Sequence, residues 1–243
     1  MEQVQLLPGI FAVDLGIWVG GARTLVLADF HLGYEEMLNA QGVLMPRINF
    51  AAIRERLEKK ILNAVRPETI VINGDLKHEF GTISQQEWRE VIEMLEFLEK
   101  RCKKVVLVGG NHDTILGPLA KWKGLRIKKS GHYIEKEKLL ICHGDEVPGT
   151  KEFGEAKAII IGHEHPAIRI REGVKQETSK CFLKGKFGGK SLIVQPSLNS
   201  LYMGTDILGE RPLSPFLQQP LGDFEAWAVE DKVYYFGKLK DLK

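Results

Sequence analysis

The chain has 243 residues, of which 44% are hydrophobic, enough for a sizeable buried core in one α/β domain over residues 1–243. Its net charge of +2 and its pI near 8.3 neither require nor exclude an anionic partner. Three scattered cysteines without CxxC spacing argue against a disulfide framework and a zinc knuckle. No long apolar run or signal-like start is present, which predicts a cytoplasmic protein with no membrane partner.

Short apolar runs alternate with amphipathic stretches along the chain. Runs rich in Val, Ile and Leu predict strands buried on both faces: TLVLAD, TIVINGD, KVVLVGG, LLICHG and AIIIGH. Residues 50–65 have apolar side chains every four residues, which predicts a helix with Asn49 as its N-cap. Residues 84–102 predict a second helix, which begins with a capping box of Ser84 and Glu87.

The pattern changes after His132. Alternating segments separated by turns, such as Gly188-Gly189 and Glu230-Asp231, predict hairpins of a second, more antiparallel sheet. A helix-flanked mixed sheet that packs on a second sheet defines the fold class as α/β, with four layers in the order α/β/β/α.

Polar residues follow each of the five apolar runs, next to a glycine that permits a tight turn. The candidates are Asp29, His31, Asp75, Asn111, His112, His143, His163 and His165. Ligands of open α/β sheets bind at the carboxyl ends of the strands. A single Asp or His after a strand is commonly a turn former, but chance does not easily place all five segments in this arrangement. The set therefore predicts one site at one edge of the sheets.

The residue types at this edge suit a pair of divalent ions. Two ions about 3.5–4 Å apart can clamp the attacking and leaving oxygens of a phosphoryl displacement. Such a pair needs a bridging carboxylate, several imidazoles and a neutral oxygen donor. Nitrogen and oxygen ligands without thiolate suit Mn²⁺, Fe or Zn²⁺ and disfavour Ca²⁺. Cys142 adjoins His143 and therefore points to the opposite face of its strand, into the core.

The order D-x-H, GD, GNHD, H and GHxH, from Asp29 to Pro166, resembles the calcineurin-like metallophosphoesterase superfamily. The segments LADFHLGYE, INGDLKHEFG and PSLNSLYMGTDIL resemble its archaeal SbcD-related branch. The chain is also similar to the phosphoesterases encoded beside bacterial DNA ligases and helicases. This resemblance implies DNA or RNA as substrate and a helicase or repair protein as a partner, whereas the oligomeric state is left open.

The resemblance also implies a role for each matching residue. The first metal would be held by Asp29, His31 and His165, the second by Asn111, His143 and His163, and Asp75 would bridge them. A metal-bound hydroxide would attack the phosphorus. His112 would contact the phosphate and protonate the leaving oxygen, oriented by Asp113. A histidine beside a ligand asparagine but kept off the metals is, on chemical grounds alone, a sensible general acid near neutral pH.

Other residues near these motifs have less certain assignments. Phe30 should point away from the metals. His78 is expected to be either a surface residue or a support for the metal ligands. The alternative is that His78 contacts the substrate, as Asn111 and His112 are expected to do. His132 is expected to be incidental.

Two basic segments are either solvated surfaces or tracks for a nucleic-acid backbone. The first has five basic residues and no acid, namely Lys121, Lys123, Arg126, Lys128 and Lys129. The second, from Arg169 to Lys190, has seven basic residues and two acids. The chain has no aromatic-rich stretch for stacking bases, which gives little support to specific single-strand recognition.

The sequence therefore predicts a dinuclear metal-dependent phosphoesterase that prefers phosphodiesters, with nucleic acid as the leading substrate class, so that the enzyme would be a nuclease. The expected cofactor is a pair of Mn²⁺ ions, with Fe, Zn²⁺ and Ni²⁺ as alternatives. A small-molecule phosphodiesterase or phosphatase that acts on cyclic nucleotides or nucleotides is the rival enzyme. A non-catalytic scaffold is the rival of a different class, but it would need neither complete ligands nor His112.

Overall fold

The first sheet combines an antiparallel half and a parallel half. The computed structural model describes residues 3–79, 84–113, 124–172 and 175–242, without the side chains of 170–172 and 175. The sheet has the order β1-β2-β3-β4-β5-β6-β7, antiparallel as far as β4 and parallel beyond it. Its strands are Val4–Leu7, Ile10–Val13, Gly16–Val19, Thr24–Leu27, Thr69–Asn73, Lys104–Val108 and Ile127–Lys128.

The second sheet is mixed, as the change of pattern after His132 predicts. It has the order β14-β11-β12-β13-β10-β9-β8, with β15 pairing β12 and β16 pairing β15. Parallel pairing joins β9, β10 and β13, and the hairpins around them are antiparallel. These strands, β8 to β16, are His132–Ile134, Leu139–Ile141, Ala158–Ile161, Pro166–Glu172, Lys175–Phe187, Lys190–Val194, Thr205–Asp206, Glu225–Val229 and Val233–Lys238.

The central strands of the second sheet, β9, β10 and β13, have buried residues on both faces. In β10, Ile160 packs into the core shared with the first sheet, whereas Ile159 and Ile161 pack into a second core on the other side. This alternation follows from the two-residue period of a strand. The second core is covered by α4 (Lys151–Glu155) and a turn of 3₁₀ helix at Pro215–Leu217. The predicted sandwich of two mixed sheets flanked by helices is confirmed.

Helices cover the first sheet. They are α1 (Tyr34–Ala40), α2 (Asn49–Arg56), which continues as a π-helix over Leu57–Ile61, and α3 (Gln85–Glu99). Ser84 caps α3 by accepting a hydrogen bond from the Glu87 N–H, as predicted. The other half of the capping box is wrong. The Glu87 carboxylate accepts from the His78 and Glu79 N–H groups instead, because the preceding loop brings these two donors to it.

Asn49 is the first residue of α2 and not its N-cap. Its side chain is fully buried, and its Oδ1 accepts two hydrogen bonds from Ser200, in a distant loop. Long-range bonds of this kind override the local preference of asparagine for a cap. Asn49 therefore ties α2 to the loop after β13. Within the described residues, no helix is long and apolar enough to cross a bilayer.

Candidate metal centre

The polar residues after the strands meet at one rim. Asp29 follows β4, Asp75 follows β5 and Asn111 follows β6, all in the first sheet. His143 follows β9 and His163 follows β10, in the second sheet. Because the two sheets pack face to face, the carboxyl ends of their parallel strands face each other across the top of the sandwich. All seven predicted metal ligands lie in this place.

The backbone turns sharply at five of these positions. Positive φ angles occur at Asp29 (56°), His31 (46°), Asp75 (50°), His163 (63°) and His165 (48°). Asp and His tolerate this left-handed region better than most residues, and such conformations concentrate at functional sites. The turn that follows each strand therefore aims these side chains into the rim.

Two glycines permit the close approach of the loops. A Cβ on Gly110 would overlap Asp75 Oδ1, and a Cβ on Gly74, which has φ +82°, would overlap the His143 ring. Any larger residue would push the neighbouring donor away from the rim. These two contacts explain why GD and GNHD contain glycine at these positions.

The donors form two overlapping clusters that share Asp75. The first cluster contains Asp29, His31, Asp75 and His165, and its donor atoms lie within 4.8 Å of one another. The second contains Asp75, His143 and His163 within the same limit. His143 Nε2 lies 3.3 Å from Asp75 Oδ2 and 3.1 Å from Asn111 Oδ1, which adds Asn111 to the second cluster.

The spacing and chemistry of these donors fit a metal ion. The Nε2 atoms of His31 and His165 are 3.2 Å apart. This is about the separation of two ligands that are each roughly 2.0–2.1 Å from one ion. The first cluster offers two carboxylates and two imidazoles, and the second adds an amide oxygen. Such a set suits divalent transition metals.

Burial and neighbouring charges both shift the pKa values of these groups. Burial and then the His165 ring lower the pKa of His31, and burial and then His143 lower the pKa of His163. Burial by itself would raise the pKa of the Asp75 carboxyl, but the His143 ring lowers it below its usual value. Burial by itself would lower the pKa of His143, but the Asp75 carboxylate raises it to about 10. Asp75 is therefore the anion around which the imidazoles are arranged.

His112 stands beside the clusters with a fixed orientation. Its Nδ1 makes a short hydrogen bond with the carbonyl oxygen of His78, and its ring stacks on that of His78 at 5.1 Å. Since a carbonyl can only accept, His112 Nδ1 carries the hydrogen. His112 Nε2 is then the atom on the side of the site, 4.0 Å from Asp75 Oδ2.

The expectation that Asp113 orients His112 does not agree with this geometry. The Asp113 carboxylate accepts hydrogen bonds from the backbone N–H groups of Asp75, Leu76 and Gly110. It therefore fastens the GNHD loop to the loop after β5. Burial, followed by the charge of Asp75, raises the pKa of Asp113 to about 7.

His78 occupies the position that the sequence left open. Its Nδ1 lies 3.2 Å from His31 Nδ1, on the side of that ring that faces away from the first cluster. His31, His78 and His112 also form a third group whose donor atoms lie within 4.8 Å of one another. A histidine that bonds the second nitrogen of a ligand imidazole fixes its tautomer and its orientation.

Three other residues named from the sequence lie away from the donor clusters. Phe30 is fully buried in the core between the sheets and helices, away from the donors. Cys142 is buried in the second core, on the face of β9 opposite to His143. His132 lies at the edge of the second sheet, where its Nδ1 is 2.8 Å from Lys128 Nζ.

Several residues near the rim were not found from the sequence. Lys180 Nζ donates to the carbonyls of Ser197 and Asn199, and Ser197 Oγ donates to the carbonyl of Asp29. Tyr202 lies beside His165. Most of these residues belong to PSLNSLYMGTDIL, so the family-like segment was a usable signal, although it did not reveal what each side chain contacts.

A two-sheet sandwich with two Asp/His clusters that share one carboxylate at its strand ends defines a metal-dependent hydrolase. The sequence profile of the calcineurin-like phosphoesterase family matches residues 22–154. The chain therefore belongs to the calcineurin-like phosphoesterase family and is a metal-dependent phosphoesterase.

Among solved structures of low sequence identity, nuclease MPE from Pseudomonas putida shares the fold of this chain. Nuclease MPE from Pseudomonas putida is 18% identical, with a TM-score of 0.67 over 97% of this chain and 99% of that chain. YfcE, a phosphoesterase from E. coli, is 15% identical, with a TM-score of 0.40 over 90% and 94% of the two chains. Zn²⁺-bound Vps29 from Entamoeba histolytica is 17% identical, with a TM-score of 0.36 over 86% of each chain. No curated protein sequence matches the chain.

Proposed function

We propose that this protein hydrolyses phosphodiesters with a pair of divalent ions and that its substrate is nucleic acid. The observation that carries the hydrolytic part is the pair of donor clusters that share Asp75. Asp29, His31 and His165 would hold the first ion, and a second set of donors, Asn111, His143 and His163, would hold the other. Bound divalent ions neutralise charge on phosphate oxygens and supply a nucleophile at neutral pH.

His112 supplies the acid of the reaction. Its Nδ1 is engaged by the His78 carbonyl, so Nε2 is the nitrogen that can pass a proton to the leaving oxygen. His78 holds this ring by stacking and by its carbonyl, and holds His31 through Nδ1. His78 thus positions one metal ligand and the acid together, and it borders the cavity in which the substrate would lie.

Mn²⁺ is the first candidate for the ions. The donors are carboxylate, amide and imidazole groups, and the two buried cysteines lie outside both clusters. Hard and intermediate donors of this kind also accept Fe, Zn²⁺ and Ni²⁺. Metal content after purification and reconstitution with each ion separately would rank these alternatives.

A basic groove at the edge of the first sheet, between the amino-terminal parts of β6 and β7, supports nucleic acid as the substrate. Lys104, Arg126 and Lys128 line a cavity of about 450 Å³ between β6 and β7. Burial and the charge of Lys104 lower the pKa of Lys128, so cationic groups have been brought together here. The Gly109 N–H donates to the Lys128 carbonyl, two residues before Asn111, so Lys128 is the groove residue nearest to the site. A phosphate backbone that follows the groove toward the carboxyl end of β7 would therefore run toward the metal centre.

The second basic segment has a different use. Arg169 lies 3.8 Å from Asp206, Lys184 lies 2.5 Å from Glu225, and Lys190 donates to two backbone carbonyls near α4. Lys180 is buried. These four cations are neutralised or bonded within the protein, so the proposed phosphate track uses Lys104 and the first basic segment instead. Lys121 and Lys123 of that segment lie outside the described residues.

Charge reversal of the groove tests the nucleic-acid assignment. The triple variant Lys104→Glu, Arg126→Glu, Lys128→Glu should bind and cleave a polynucleotide more weakly than the wild type. A plot of the logarithm of its binding constant against the logarithm of the salt concentration should also have a shallower slope, by about 0.9 for each lost phosphate contact. Hydrolysis of bis-p-nitrophenyl phosphate should remain near the wild-type rate, because a small ester does not reach the groove.

The control variant reverses three exposed lysines that line neither the groove nor the metal cavity, namely Lys136, Lys232 and Lys240. It should cleave the polynucleotide normally.

If the wild type hydrolyses the small diester but does not bind polynucleotide at low salt, the substrate is a small phosphodiester or nucleotide instead. The cavity at the metal centre, about 280 Å³, favours this second candidate, since it holds little more than one nucleotide. Faster hydrolysis of p-nitrophenyl phosphate would indicate a monoesterase.

A further inference from the structure

The cavity at the metal centre has an aromatic wall that the metal chemistry does not explain. Its lining includes Tyr34, Tyr202 and Leu213, in addition to the donors and other polar residues. Tyr202 is 42% exposed and Leu213 is 68% exposed. Large apolar groups exposed beside a polar site mark a surface that contacts a ligand.

Tyr202 lies at one end of a row of rings. Its ring contacts that of His165 edge-on, with a centroid separation of 5.9 Å, and His165 contacts His31 in the same way at 4.9 Å. At the other end, Tyr34 contacts His78 edge-on at 4.7 Å. Tyr34 is half-buried, so Tyr202 offers the more accessible aromatic surface of the two.

The loop that bears Tyr202 is tied to the first donor cluster. The Leu198 N–H donates to the carbonyl of Ala28, and the Asn199 N–H donates to that of Asp29. Asn199 Oδ1 in turn accepts from the Leu201 N–H, one residue before Tyr202. A short chain of bonds therefore holds the backbone next to Tyr202 at a set distance from Asp29.

Leu213 is fixed by a residue between two donors. Glu164 lies between His163 and His165, and its Oε2 accepts from the N–H groups of Leu213 and Ser214. Glu164 thus points away from the metals and holds Leu213 at the mouth of the cavity. The mouth is apolar and aromatic on the side of the first cluster.

We propose that Tyr202 is a stacking surface for the base of the nucleotide whose phosphate enters the metal centre, with Leu213 against the edge of that base. This inference rests on the proposed phosphodiesterase function. A base is a planar aromatic group one sugar away from the phosphate. Stacking on an aromatic side chain tolerates any base, so this wall would accept each of the bases of a nucleic acid. The sequence did not reveal this surface, because Tyr202 is not part of an aromatic-rich stretch.

The test compares two esters with the same leaving group, thymidine 5′-p-nitrophenyl phosphate and methyl p-nitrophenyl phosphate. The wild type should have the higher kcat/KM for the thymidine ester. Tyr202→Ala should lower that value by about fivefold to 150-fold, the usual range for one stacked base, mainly through KM. The methyl ester should be little affected, and Tyr202→Phe should keep the preference for thymidine.

Tyr234→Ala is the matched control, since Tyr234 is 43% exposed but lies on β16, outside the cavity. An equal loss for both esters in Tyr202→Ala, or no loss for the thymidine ester, would overturn the stacking role. A wild type that hydrolyses the methyl ester without preferring thymidine would overturn this inference alone. A wild type that hydrolyses neither ester with added metal would overturn the proposed function instead.

Discussion

Lys180 is a buried lysine whose charge should govern the pH dependence of stability. It lies on β12, 7% exposed, and its Nζ donates to the carbonyls of Ser197 at 2.8 Å and Asn199 at 2.5 Å. Burial, followed by the positive charge of Arg56, lowers its pKa to about 7, although Asp29 acts in the opposite direction. A neutral amine has two hydrogens, which suffices for both carbonyls.

Replacement by methionine should remove this pH dependence. Between pH 7 and about 10.4, the unfolded wild-type chain holds the lysine proton and the folded chain does not, so the free energy of unfolding rises with pH. The full window corresponds to at most about 5 kcal/mol, and the rise from pH 7 to 9 should be about 2 kcal/mol. Lys180→Met lacks this rise and leaves two carbonyls without a donor, which costs roughly 1–3 kcal/mol for each.

Urea unfolding followed by circular dichroism at pH 7, 8 and 9 measures the effect. The difference between wild type and Lys180→Met should grow with pH, because titrating groups common to both proteins cancel. Lys184→Met, on the same strand with its amine beside Glu225, controls for the loss of a long side chain. A difference that stays constant over this range would show that Lys180 remains charged in the fold and would refute the reasoning.

Three further variants test the site. Asp75→Asn should lose most activity and at least one equivalent of metal, because both clusters use this carboxylate; full activity with two bound ions, by elemental analysis, would contradict the shared role. His112→Ala should keep its metal but hydrolyse substrates on the order of 10²–10⁴-fold more slowly, with a smaller loss for good leaving groups; loss of metal would make it a ligand. Glu87→Ala should lower the free energy of unfolding by roughly 2–4 kcal/mol, since the His78 and Glu79 N–H groups lose their acceptor, whereas Glu87→Gln, which retains an acceptor oxygen, should lose less; equal losses in urea unfolding would contradict this.

The rim could be predicted from the sequence because its information is local. An apolar run followed directly by a polar residue identifies a strand end, and parallel strands bring such ends together. For this reason, the strands before Asp29, Asp75 and His143 and their convergence on one site were predictable. The division of the donors between two ions was implied by family resemblance, and the separate clusters around Asp75 agree with it.

The supporting contacts could not be predicted, because they depend on where distant loops meet. Asp113 adjoins His112 in sequence, yet its carboxylate turns to the backbone of the neighbouring loop. Asparagine is a common N-cap residue, but Asn49 accepts a hydrogen bond from Ser200, which is 151 residues away. Lys180 lies in an unremarkable stretch, and nothing within PSLNSLYMGTDIL marks Tyr202 as the residue that reaches the rim. Only the fold brings these two residues there.

The left-handed backbone at the strand ends restricts which residues can replace the donors. Glu and Cys also bind transition metals, but they adopt a positive φ less readily than Asp, Asn and His do. A residue held there against its preference costs on the order of 1–3 kcal/mol. At the five positions with φ between 46° and 63°, exchanges among Asp, Asn and His are therefore the ones that leave the turn intact. A descendant of this chain that changes its metal through these five positions must therefore choose among Asp, Asn and His, or change the backbone conformation of the turns.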